Sequence, residues 1–398
     1  MSITRTTVSS ASSDRAKWPR GLGALVVSLA LLAVPNFPYA QDRSRTGVTE
    51  EALQKRLKRF PAADANGDGI LTEEEALAAR KAGRSGESAG TPAIAGAPKH
   101  ADVSYGPHER NVLDFWPAAS KGPAPVFVFF HGGSFKGGDK AAVRTRPIFK
   151  ECLDAGISII SVNYRFSTDG PFPAPMHDGA RAVQFVRFKA KEWNIDPARV
   201  ALSGSSAGAT LALWIALHDD LAEPTSADPV ARLSSRVTCA SPHSGTAGLS
   251  SDYFRQHAGV TKLGGALWQL FGARSQAEFD SAENRRLQQD ASPLFHATRD
   301  DPPLFLTYAG EPSEAPFATD AAQRDWIHHV SLGLPLKARY DALGLECEIK
   351  HRGTPSAPGA EIAFLRRHLR DRDGKTGSAG NLLPNELEIP VPSHPAIK

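Results

Sequence analysis

The sequence predicts an α/β fold, a mostly parallel central sheet with helices on both faces, preceded by a small helical unit. Apolar runs recur along the chain, helix-compatible stretches separate most of them, and residues 83–98 have the Gly, Ser, Ala and Pro composition of a linker. Strands buried on both faces read as unbroken apolar runs, and their alternation with helices is the pattern of a parallel sheet. A chain of 398 residues with 41% hydrophobic content is long enough to bury a substantial core. Its 46 basic and 43 acidic side chains, net +3, form no long basic block beyond the first twenty residues and give no reason to expect a nucleic-acid partner.

Arg5, Arg15, Lys17 and Arg20 precede an uncharged apolar stretch from Leu22 to Val34, which reads as a signal peptide over residues 1–40, removed after Ala40. The chain is therefore expected to be exported, periplasmic or extracellular, with no transmembrane domain in the mature chain. Pro38 at the −3 position leaves an uncleaved signal anchor as the alternative. Residues 48–82 form a helix, loop, helix pattern around "DANGDGILTEEE", residues 83–100 are linker, 101–370 the main domain and 371–398 a tail with little periodicity. Within 101–370 the strand-like runs are 125–133, 157–165, 199–205, 236–241, 302–310 and 345–351, and the helical stretches are 176–193, 207–219, 328–343 and 359–370. Cys152, Cys239 and Cys347 are odd in number and far apart, so at most one disulfide is expected and buried single thiols are the alternative.

In open parallel sheets ligands meet the carboxyl ends of the strands, which directs attention to the residues just after each run. After "RVALS" comes "GSSAG", in which Gly204, Ser206 and Gly208 fit G-x-S-x-G immediately before a helix. A sharp strand-to-helix turn needs small residues on both sides of the serine, and the helix N-terminus favours a developing negative charge there. After "PVFVFF" comes "HGGSFKGG", where the backbone N–H groups of Gly133 and Ser134, together with that of Ala207, can face a tetrahedral oxyanion.

On "YGPHERNVLDFW", "HGGSF", "VNYRF", "PAPMHDGARAVQFVR" and "GSSAG", the chain resembles the α/β-hydrolase superfamily from about Val103 to Leu369. The nearest branch is that of secreted carboxylesterases and lipases, similar to hormone-sensitive-lipase-like and feruloyl or acetyl esterases. The resemblance implies Ser206 as nucleophile and Gly133, Ser134 and Ala207 as the oxyanion hole. Asp178 matches a recurrent acidic position of the family and reads as structural or as a helix N-terminal charge.

A serine hydroxyl needs an adjacent base, and that base an orienting acid. The family places the acid three residues past the glycine that ends "PPLFLTYAG", but Ser313 stands there, flanked by Glu311 and Glu314. Glu314 is taken as the acid, with Glu311 as the alternative. The family's histidine slot in the last loop, near Ser356 to Pro358, holds no histidine, and His351 comes too early. His329 in "RDWIHHVSLG" is taken as the base, with His328, His351 or none as alternatives; His243 and His131 also follow strand ends.

Asp64, Asn66 and Asp68 occupy positions 1, 3 and 5 of the "DANGDGILTEEE" loop, Gly69 position 6, Ile70 position 7 through its carbonyl, Thr72 position 9 and Glu75 position 12. That spacing is the EF-hand calcium loop, because a hard cation requires six or more oxygens and only glycine makes the tight central turn. Asp64, Asn66, Asp68, Ile70 and Glu75 are the expected Ca²⁺ ligands, in a structural role; no cofactor is expected for catalysis.

The expected activity is hydrolysis of a small-molecule, glycan or lipid carboxylic ester through an acyl-enzyme on Ser206. Residues 245–295, rich in Phe, Leu and Trp, are expected either to cap an acyl pocket or to fill core. The alternatives are a polysaccharide acetyl or feruloyl esterase, a peptidase on the same fold, or a catalytically degenerate binding protein.

Overall fold

The computed structural model describes residues 70, 72, 75, 96–355 and 357–370. The chain divides into two units, Met1–Ala76 and Leu77–Lys398. The expected signal peptide, most of the linker, the tail and three of the expected calcium ligands, Asp64, Asn66 and Asp68, lie outside the described residues. In the first unit the Thr72 hydroxyl donates to Glu75 Oε2 (2.7 Å) and accepts from the Glu75 N–H (3.2 Å), while the Thr72 N–H donates to Glu75 Oε2 (3.0 Å). This reciprocal capping box accompanies helical backbone at Glu75.

The second unit is built on one eight-stranded sheet. Its strands are β1 (His100–Ser104), β2 (Val112–Trp116), β3 (Ala124–Phe130), β4 (Ser158–Val162), β5 (Ile195–Gly204), β6 (Cys239–Ala240), β7 (Leu304–Thr307) and β8 (Cys347–Lys350), in the spatial order β1-β2-β4-β3-β5-β6-β7-β8. From β4 across to β8 every pairing is parallel; β2 alone is reversed, pairing antiparallel with both β1 and β4. Each apolar run expected to be a strand is one, and β1 and β2 are additional.

Alternation along β3 separates two layers, as the period of two requires. Val126, Val128 and Phe130 face helices α2 (Ala174–Phe188) and α3 (Ala207–Leu217), while Phe127 and Phe129 face α1 (Pro147–Asp154) and α9 (Ala360–His368). All eleven residues of α3 are buried, so this helix is wrapped on every side. Between β6 and β7 lie α4 (Ser251–Ala258), α5 (Gly265–Leu270), α6 (Ala282–Ala291) and α7 (Pro293–His296). The last crossover helix, α8 (Leu334–Leu343), begins six residues later than the expected 328. Pro335 explains the delay: proline fits the first turn of a helix and breaks its interior. The freed segment 328–333 instead runs along Ala309, just past β7.

Cys152, Cys239 and Cys347 are all buried free thiols, so the bridge allowed by the sequence does not form. Among the described residues no helix is long and apolar enough to cross a membrane.

Candidate active site

Ser206 sits between β5 and α3 with φ 53° and ψ −118°, a backbone conformation costly for a residue with a side chain. The surroundings enforce it. The Ser206 N–H donates to the His243 carbonyl (2.9 Å), the Gly208 N–H to the Ser205 carbonyl (2.9 Å) and the Ser205 N–H to the Phe130 carbonyl (3.2 Å). A Cβ at Gly204 would stand 2.3 Å from the Gly208 carbonyl oxygen, and one at Gly208 would stand 2.2 Å from that of Phe130. Both flanking glycines are therefore required by backbone contact.

The glycine-rich loop after β3 lies against this turn. Its path runs through positive φ at Gly133 (122°), Ser134 (56°) and Phe135 (57°), and a Cβ at Gly132 would come within 2.8 Å of the Ser205 carbonyl. Among the described residues the N–H groups of Gly133, Ser134 and Ala207 have no hydrogen-bond acceptor; Ala207 opens α3, where the helix itself supplies none. Behind the loop, His131 is fully buried and stacks on Tyr164, with ring centroids 4.5 Å apart. Burial depresses its pKa to about 4, so it is neutral at physiological pH. Arg110 Nη2 lies 3.1 Å from His131 Nε2. A guanidinium has no acceptor, so Nε2 accepts and Nδ1 carries the proton, donating to the Gly132 carbonyl at 2.7 Å. The Tyr164 hydroxyl donates to the His131 carbonyl (2.7 Å) and Arg110 Nη2 also reaches the Gly138 carbonyl (3.3 Å), so the loop is held from behind at three carbonyls.

The histidine beside Ser206 is His328, whose Nε2 lies 2.8 Å from Ser206 Oγ. Desolvation lowers its pKa below the ordinary histidine value. His329 does not reach the serine. Its ring is buried, Nδ1 accepts from the Ser331 N–H (3.2 Å), and Nε2 therefore donates to the Glu311 carbonyl (2.9 Å). The expected pairing of His329 with Ser206 is thus replaced by His328, because His329 has extended backbone (φ −76°, ψ 147°) and neighbours in such a segment point to opposite sides.

Glu314 is also displaced from its expected place. Its carboxylate pairs with Arg352 (2.9 Å) and approaches His329 Nε2 at 3.6 Å. It serves the buried histidine, not the one at the serine. Among the described residues no carboxylate oxygen lies within 4.0 Å of the His328 ring nitrogens. His351 Nδ1 lies 2.6 Å from the Arg352 carbonyl, and His243 Nε2 lies 3.0 Å from Glu361 Oε1, so neither ring meets Ser206. Asp178 is buried and receives the backbone N–H, Nε and Nη2 of Arg165, the structural role expected for it. Glu314→Gln is accordingly expected to change kcat by less than about threefold and to cost about 0–1 kcal/mol, the scale of an exposed ion pair, read from steady-state hydrolysis and thermal denaturation.

Ser206 opens onto a cavity of about 40 Å³ lined largely by apolar side chains, including Phe135, Leu249, Leu267, Leu270 and Ile327. Leu249, Leu267 and Leu270 come from the segment between β6 and β7, which thus both shapes this pocket and contributes to the main core.

Residues 113–317 match the BD-FAE family. The chain is 27% identical over 234 residues to a probable carboxylic ester hydrolase, LipM, of Mycobacterium tuberculosis, covering 58% of this chain and 52% of that protein. It is 29% identical over 236 residues to the esterase LipQ of the same organism, covering 56% and 52%. The chain thus spans about half the length of the curated relatives it matches. Among solved structures, a truncated form of a carbohydrate esterase from gut microbiota superposes with a TM-score of 0.55 at 19% identity, over 68% of this chain and 95% of that one. This likeness shows the α/β-hydrolase fold.

Proposed function

The chain belongs to the BD-FAE family, and on that premise we propose that it hydrolyses carboxylic esters through an acyl-enzyme formed on Ser206. The observation that carries this reading is the 2.8 Å contact between His328 Nε2 and Ser206 Oγ on a strained strand-to-helix turn. The relatives named as ester hydrolases support the reaction class.

In the proposed cycle, neutral His328 takes the Ser206 proton as Oγ attacks the ester carbonyl. The carbonyl oxygen becomes an oxyanion facing the N–H groups of Gly133, Ser134 and Ala207, donors whose positions are fixed before substrate arrives. Imidazolium at His328 then protonates the departing alcohol. Water attacks the acyl group with His328 again as base, and Ser206 is regenerated. The pair works as a dyad, with the base held by its backbone beside Ala309 rather than by a carboxylate. A cavity of about 40 Å³ suits a short acyl chain better than a fatty one.

The basic and apolar N-terminus supports export of this hydrolase. The acidic loop fits calcium by the chemistry of its donors, which are all oxygens, and the Thr72–Glu75 capping box falls at the position where an EF-hand's second helix begins. Asp64, Asn66, Asp68, Ile70 and Glu75 would hold the ion. It would supply structural order outside the ester chemistry.

Treatment with a fluorophosphonate, followed by peptide mass mapping, is expected to place one adduct on Ser206, and nitrophenyl acetate is expected to be cleaved in preference to the octanoate. Neither adduct nor turnover would leave a binding domain as the better description. Because the base must be neutral and its pKa is lowered, the acid limb of log kcat/KM is expected below pH about 6.5. An acid limb above that value would contradict His328 as base.

A further inference from the structure

His218, Asp290 and His296 bring three metal-ligating atoms within 4.8 Å of one another, at the opposite end of α3 from Ser206. Eleven residues of helix separate the two ends, roughly 16 Å at 1.5 Å per residue. We propose that these three side chains form a binding site for Zn²⁺ or a similar late divalent cation, which would fasten the segment carrying Asp290 and His296 to the nucleophile helix.

The geometry is prepared on one side. His218 caps the C-terminus of α3, and its Nδ1 lies 3.0 Å from the Asp219 carbonyl. A carbonyl only accepts, so the proton is on Nδ1 and the lone pair of Nε2 is left available, the arrangement in which a second hydrogen bond orients a metal-binding imidazole. That Nε2 lies 3.9 Å from Asp290 Oδ1. On the other side His296 Nε2 lies 3.7 Å from the same oxygen, and the two imidazole centroids are 4.6 Å apart. Zinc bonds of about 2.0–2.2 Å in a tetrahedron separate donors by roughly 3.4 Å, so each imidazole needs to close on Asp290 Oδ1 by only about half an ångström or less, from a starting arrangement in which all three donors lie within 4.8 Å. Two imidazoles and one carboxylate suit zinc rather than calcium, which prefers oxygen alone. The Asp290 side chain is about half exposed (51%), which gives an ion access and leaves room for water as a fourth ligand.

One hydrogen bond must change. His296 Nε2 lies 2.6 Å from the Asp290 main-chain carbonyl and donates to it in the metal-free arrangement. Metal binding through Nε2 removes that proton from Nε2. The carbonyl is not orphaned, because Trp214 Nε1 donates to it at 2.8 Å. Trp214 belongs to α3, so the site is already braced against that helix.

The site is independent of the ester reaction and is tested without it. The full chain, freed of metal with EDTA and then held in excess Ca²⁺ to occupy oxygen-only sites, is titrated with Zn²⁺ by calorimetry. One saturable site is expected, with a rise in Tm of several degrees, loss of affinity of about 100-fold or more in His218→Ala, Asp290→Asn and His296→Ala, and zinc-dependent shifts of two imidazole resonances in the unaltered protein. Far-UV circular dichroism and fluorophosphonate labelling report whether each variant folds. Absence of saturable binding, binding that survives in a folded His218→Ala/His296→Ala protein, or no shift of two imidazole resonances would each overturn the site. The imidazole shifts decide the matter even where a variant does not fold.

Discussion

Replacing His328 by alanine is expected to lower kcat for an activated ester by about 10⁴- to 10⁶-fold, comparable to Ser206→Ala, while His329→Ala leaves Ser206 open to fluorophosphonate. The two changes differ because the adjacent rings do different work. His328 meets Ser206 Oγ through Nε2, whereas both nitrogens of His329 are engaged, one by the Ser331 N–H and one by the Glu311 carbonyl. Losing His329 leaves a buried donor and acceptor unmatched, for a stability loss of about 1–3 kcal/mol at each. The diagnostic pattern is therefore a fall in turnover without a fall in Tm at 328, and the reverse at 329. Steady-state kinetics and thermal melts on the same preparations separate them. Equal loss of turnover in both variants would mean that the loop is merely disordered by either change.

Gly208→Ala is expected to reduce kcat/KM by at least about 10³-fold and to destabilise the domain by about 3 kcal/mol or more, the range in which a backbone clash in a packed core falls. The added methyl would stand 2.2 Å from the Phe130 carbonyl oxygen and 2.4 Å from that of His131. Neither oxygen can rotate away. Phe130 closes β3, and the His131 carbonyl is tied to the Tyr164 hydroxyl, so relief comes only by moving α3 away from the glycine-rich loop. That movement separates the Ala207 N–H from those of Gly133 and Ser134. Gly137→Ala is the control on the same loop, since a Cβ there meets nothing closer than 3.9 Å. It is expected to keep near-normal hydrolysis and Tm, and a comparable loss there would point to general loop sensitivity instead.

The parallel strands are readable in the sequence because their apolar runs are bounded by turns and separated by helices. β1 and β2 are not set apart from loop in the sequence because "HADVS" is polar and the apolar run "VLDFW" is interrupted by Asp114. The serine turn was legible for a steric reason: small residues at 204 and 208 are what the backbone contacts demand. For the base the sequence favours His329 and leaves His328, His351 or none open. Adjacent residues in extended backbone face opposite ways, and which one faces the serine depends on register with Ala309, a contact made across the sheet. Pro335 was the overlooked signal. Its place in the first turn of α8 rules out one continuous α-helix from 328, and the turn at His328, the extended backbone of His329 and the short 3₁₀ helix Val330–Leu332 that replace it bring one histidine to the end of the sheet. The distance of Glu314 along the chain from Gly310 suggests an acid, but its direction is set by Arg352, which no spacing rule reveals.

The approach of the base from beside Ala309 also changes what natural variation can do to this protein. In a chain whose base stands between the last strand and the last helix, that connection cannot drift without loss of turnover. Here the connection from β8 to α9 carries His351, which is bonded to its own neighbour and touches nothing at the serine. Under the proposed dyad, exchanges at His351 are therefore expected to leave turnover unchanged, while Arg352 in the same stretch stays tied to Glu314 and to the Gly310 carbonyl. Under the same proposal the segment around residues 326–333, with the fully buried Trp326, carries the constraint instead.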